Sequence, residues 1–154
     1  MQGDEVVILT DWPQPDAGVP NPRLVANEPS VLLRYNSTKD RVAIAHFPRV
    51  SSVVFGAPND ETLEGHRLWA KGLKHYSVSE VRNSSWIDLL ERQNAVHDRH
   101  NKTRFLEGKK HYVFTFHDST LEIIATESSE SLPDVRVFED EAAADGYWHS
   151  KVVA

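Results

Sequence analysis

The chain contains no cysteine, a single methionine and only seven glycines. Without a thiol, it can form no disulfide, thiolate zinc site, iron–sulfur cluster or cysteine nucleophile. Scarce glycine, with neither a G-x-x-x-x-G-K-[ST] loop nor a G-x-G-x-x-G turn, leaves no cradle for a nucleotide phosphate, so no nucleotide cofactor is expected. A G-x-S-x-G elbow and an EF-hand loop are also missing. Apolar runs extend only a few residues, too short to span a bilayer, and Met1 to Glu5 lacks the basic and apolar regions of a signal peptide. The expectation is a cytoplasmic protein with no membrane partner.

The 154 residues, 40% hydrophobic and 26% charged, fit one globular domain spanning 1–154. At this size, folding buries roughly two thirds of the surface of the unfolded chain, enough for a core without disulfide or metal staples. A formal net charge of −6 argues against nucleic acid, whose phosphates need a basic face. The charge is unevenly distributed. Arg99, His100, Lys102, Arg104, Lys109, Lys110 and His111 make a basic stretch, and acidic residues dominate 127–154.

The pattern predicts an α+β fold built mainly on antiparallel sheet, with about six to eight strands that could curl into a half-open barrel. Strand-like runs occupy 5–9, 30–35, 41–47, 52–55, 75–82, 111–117, 120–126 and 135–138. Five prolines in 12–29 exclude helix and central strand there, leaving an extended wrapping segment with Trp12 as an anchor. Trp86, Leu89, Leu90 and Val96 recur at helical spacing after Ser85-Trp86-Ile87-Asp88, which reads as a capping box, so a firm helix is placed at 85–97. A second, short helix is placed at 60–71, weakened by Gly65 in its middle. A last short helix is placed in the acidic stretch from Glu139.

The strongest pairing is a hairpin of 111–117 with 120–126. With Asp118-Ser119 as a two-residue loop, Tyr112, Phe114 and Phe116 face Ala125, Ile123 and Leu121 on an apolar wall. The opposite wall carries His111, Val113, Thr115, His117, Thr120, Glu122 and Ile124. In that register Thr115 stands opposite Glu122 and His117 is diagonal to it, within reach of a long side chain.

Three chemistries follow. His117 with Glu122, assisted by Asp118, forms a His/carboxylate pair suited to acid–base work. Arg99 and Arg104, with His111 and Thr115, supply the donors that suit a carboxylate or phosphate. His97-x-x-His100, on a continuing helix, would bring two imidazoles to one divalent metal ion. The reading that results is a protein or enzyme that handles a small anionic molecule near residues 97–122. A regulatory subunit that binds another protein is the alternative, and a homo-oligomer is left open.

Overall fold

The computed structural model describes residues 3–153. Nine strands form two antiparallel sheets, more strands than the sequence suggests, and the sheets stack face to face instead of closing into a barrel. The strands are β1 Glu5–Ile8, β2 Arg23–Ala26, β3 Val31–Ser37, β4 Arg41–Phe47, β5 Val50–Gly56, β6 Val78–Arg82, β7 Lys109–Thr115, β8 Thr120–Thr126 and β9 Asp134–Phe138. One sheet has the order β1-β6-β7-β8-β5, the other β2-β3-β4-β9. The helices are α1 Ser85–Asn94, α2 Lys102–Leu106 and α3 Glu141–Val152.

Alternation along the strands builds the core between the sheets. Tyr112, Phe114, Phe116, Leu121, Ile123 and Ala125 from one sheet meet Val31, Leu33, Tyr35, Ala43, Ala45 and Phe47 from the other. The proline-rich stretch is extended as expected, but it also supplies β2. Trp12 inserts its indole against Phe47 and Tyr112, with ring centroids 6.0 and 5.3 Å away, and the Tyr35 hydroxyl donates to Pro13 O at 2.6 Å.

Both outer sheet faces are also covered. On the four-stranded sheet, Leu32, Val42 and Ile44 lie under Ala144 and Trp148 of α3, and Arg34 is buried in an ion pair with Asp145 at 2.6 Å. On the five-stranded sheet, Val6, Val81 and Val113 lie under Leu63, Leu68 and Leu73 of the 60–73 segment. That segment is not the single helix expected over 60–71. It forms two 3₁₀ turns, Asp60–Gly65 and Trp69–Lys71, separated after Gly65; the Asn59 side chain caps the first and the left-handed Gly72 ends the second.

Two further expectations are corrected. Helix α1 stops at Asn94, short of residue 97, and its N-cap is Ser84, whose Oγ accepts from Ile87 N–H; Ser85 instead bonds Asp4. The hairpin pairs Tyr112 with Ile123 and Thr115 with Thr120, two residues away from the expected register. The reason is the position of the turn: Phe116 N–H donates to Ser119 O, so the chain turns on His117-Asp118, one residue earlier than the expected Asp118-Ser119. A slip of two preserves which side chains share a face, whereas a slip of one would have inverted them.

Candidate binding site around Glu122

Glu122 projects from the middle of β8 onto the outer face of its sheet. A carboxylate on an otherwise apolar strand face is stable only when its lone pairs are filled. His111 sits on β7, diagonal to it, and its Nε2 is 2.8 Å from Glu122 Oε1. The 60–73 segment brings two more donors: Arg67 approaches end-on with 2.8 Å bonds from both terminal nitrogens, and His66 Nε2 lies 3.2 Å from Oε2. The two oxygens thus accept from four N–H groups. Burial alone would raise the Glu122 pKa, but the hydrogen bonds from His111, His66 and Arg67 outweigh it and hold the carboxyl well below the usual carboxylate range. The same contact to Glu122 pushes the Arg67 pKa up.

The tautomers follow from the other ring nitrogens. Leu68 N–H donates to His66 Nδ1 at 3.0 Å, so the His66 proton is on Nε2, facing Glu122. His111 Nδ1 is 2.7 Å from Ser84 Oγ, the N-cap of α1, and the edge of Trp86 packs on the imidazole at 5.4 Å. The sequence places a capping serine there because a free N–H at the start of α1 needs an acceptor; the same hydroxyl then ties α1 to the imidazole.

Beside the cluster is an open cavity of about 300 Å³, lined by Val54 of β5, Ser85, Trp86 and Leu89 of α1, and Arg67 and Glu122. Its walls are mainly apolar and aromatic. Glu122 takes two of the five guanidinium N–H groups of Arg67, which is half exposed, so donors remain for a second acceptor.

The structure redistributes the residues singled out from sequence. Glu122 and His111 come together, buried. His117 does not join them, because it lies in the turn itself, past the end of β7. Its carboxylate partner is Asp60: Nδ1 lies 2.9 Å from Asp60 Oδ2, at ion-pair distance but outside hydrogen-bond alignment. The Tyr76 hydroxyl donates to the same Asp60 oxygen at 2.5 Å, and that bond, foremost, lowers the Asp60 pKa. Asp118 is exposed, 3.9 Å from His117 Nε2. Thr115 is buried, donating to Lys74 O and accepting from Ser77 N–H, a structural role. Arg99 and Arg104 are exposed, and neither lines the cavity.

His97 and His100 do not share a helix face, since α1 has already ended. His100 instead bonds Glu91 at 3.0 Å and Asn94 at 2.8 Å, while exposed His97 accepts from Arg99 N–H. Among the described residues, no group of three or more histidine or acidic side chains is placed to hold a metal ion. Also among them, no helix is long and apolar enough to cross a membrane.

Sequence reasoning missed Arg67, Ser84 and Trp86 as site residues. The available signal was Glu122 itself, since a carboxylate on a buried strand face demands a cation, and His66-Arg67 is a basic doublet in an acidic chain. Compared with models of protein families, with curated proteins and with solved structures, the chain matches none of them.

Proposed function

We propose that the protein binds a small anionic molecule in the cavity between Arg67 and Trp86. The observation that carries this reading is the position of Arg67: one edge of its guanidinium is fixed by Glu122, and the residue also lines a cavity whose other walls are Trp86, Leu89 and Val54. A fixed guanidinium offers a planar pair of donors to a carboxylate with little ordering cost, and apolar walls suit an attached ring or aliphatic group. The volume lies at the lower end of the range for ligand pockets, matching a ligand of modest size.

Recognition is favoured over acid–base catalysis here. Glu122 has its lone pairs occupied and stays ionised, so it is a poor proton acceptor and no proton donor. His111 is 1% exposed and held on both nitrogens, which keeps it from reaching a ligand. The test is calorimetric titration with benzoate, indole-3-acetate and inorganic phosphate. A carboxylate should bind wild type and lose at least tenfold in affinity in Arg67→Gln and in Trp86→Ala. Equal affinities in wild type and both variants would remove the cavity from the binding site.

A further inference from the structure

We infer that the groove between β5 and α1 receives an extended peptide segment, which adds as a sixth strand beside β5 and places an acidic side chain on Arg67. This deepens, and rests on, the reading of the Arg67 cavity as an anion site.

Strand β5 is an edge of the five-stranded sheet, and its far side has no neighbouring strand among the described residues. Its sequence, Val50-Ser51-Ser52-Val53-Val54-Phe55-Gly56, holds no charge and no proline. Edge strands are ordinarily kept from pairing by charge, proline, bulges or brevity. The other edges follow that rule: β1 and β2 have four residues each, and β9 carries Asp134 and Arg136 directly after Pro133. On β5 such devices are confined to one end, where a register shift lies between Val50 and Ser52 and Val50 N–H donates to Pro29 O. Val54 and Phe55 are 52% and 44% exposed, and Leu89 on the facing helix is 43% exposed.

The helix provides the second wall. The Arg67 cavity is bounded by Val54 with Trp86 and Leu89, and a second cavity of about 310 Å³ by Ser51 with Leu90, Gln93, Asn94 and Phe105. Helix α1 therefore runs alongside β5, and its successive turns face Val54 and then Ser51. Those two strand positions are about 10 Å apart at a rise of roughly 3.3 Å per residue. An added strand would place every second side chain over the groove, so an acid on Arg67 and an apolar residue in the second cavity would be two to four residues apart. Main-chain bonds supply affinity in this mode and the pockets supply selectivity.

Charge selects the occupant. A second copy pairing β5 with β5 would bring no acid to Arg67, because β5 is uncharged. A foreign segment bearing Asp or Glu answers both the unpaired edge and the guanidinium.

The probe is the fluorescein-labelled, C-terminally amidated peptide Thr-Leu-Thr-Val-Thr-Glu-Thr, read by fluorescence anisotropy. Partner probes replace Glu by Gln or carry N-methyl groups on alternate amides, in both phases. The inference expects saturable binding of the parent peptide, competition by indole-3-acetate, and a loss of at least tenfold with Gln and with one of the two N-methyl phases. Binding of indole-3-acetate without binding of the parent peptide would overturn the inference while leaving the anion pocket intact, as would equal binding of all N-methylated forms. If neither probe binds, both readings fail. A concentration-dependent dimer in sedimentation that is lost in Val54→Lys would assign the edge to a second copy and overturn the peptide.

Discussion

His111 Nε2 lies 2.8 Å from Glu122 Oε1, and its Nδ1 lies 2.7 Å from Ser84 Oγ, so a single imidazole joins the N-terminus of α1 to the centre of the sheet. Cap, ring and carboxylate form one continuous chain of hydrogen bonds, and each link can be tested separately.

Glu122→Gln should destabilise the fold by about 2–3 kcal/mol, since the amide nitrogen would face donors and the guanidinium would lose its counter-charge. The effect should depend on pH. Because the folded-state pKa is depressed, the stabilisation is present above the ordinary value of 4.5 and is lost as pH falls below it. Urea unfolding between pH 3 and 7 should show the two proteins converging in acid. A gap that stayed constant across this range would mean that the carboxylate charge contributes nothing.

Ser84→Ala should cost about 1–2 kcal/mol as a lost helix cap, whereas Ser85→Ala, at an exposed site, should stay within about 0.5 kcal/mol. Thermal unfolding of the two variants side by side is decisive. The reverse order would return the cap to Ser85, where the sequence pattern first placed it.

Phe114→Ala should cost about 3–5 kcal/mol as a core truncation. Its ring meets Trp12, Tyr35 and Phe47 within 6.3 Å, so the cavity left behind would be bordered by both sheets and the proline-rich segment. Chemical denaturation with an unchanged m-value would confirm a loss of packing; a loss below about 1 kcal/mol would contradict the described face of β7.

Arg104→Ala should leave carboxylate affinity within twofold of wild type, while Arg67→Gln should reduce it at least tenfold. Salt titration of the wild-type affinity should show only moderate weakening, because Arg67 is held partly buried rather than in open solvent. Dependence on Arg104 instead would move the site to α2.

The hairpin illustrates what the sequence could and could not reveal. Alternation assigned Phe114 and Glu122 to opposite walls, because side-chain direction has a period of two and survives a two-residue slip. The turn position did not follow from alternation: Asp118-Ser119 has ordinary turn chemistry, but the chain turns one residue earlier, on His117-Asp118, where Asp60 N–H donates to His117 O. That slip decided the site. It removed His117 from Glu122 and left the place to His66 and Arg67, which lie more than fifty residues earlier in the chain and arrive by a long-range fold of the 60–73 segment. The 85–97 helix was overextended because Val96 matches the helical spacing, yet it is 91% exposed and has nothing to pack against. Strand β2 was hidden by its proline neighbours.

The wide separation of paired strands along the chain bears on how the protein is made. Ile44 on β4 pairs with Arg136, and Arg34 waits for Asp145, so the inner strands of the four-stranded sheet emerge long before the partners that seal them. During synthesis, Leu32, Val42 and Ile44 lack the cover of α3 until its sequence has left the ribosome. Folding that depends on such distant contacts is slow, and it leaves the apolar outer face of a nascent β3–β4 hairpin open for as long as α3 is missing.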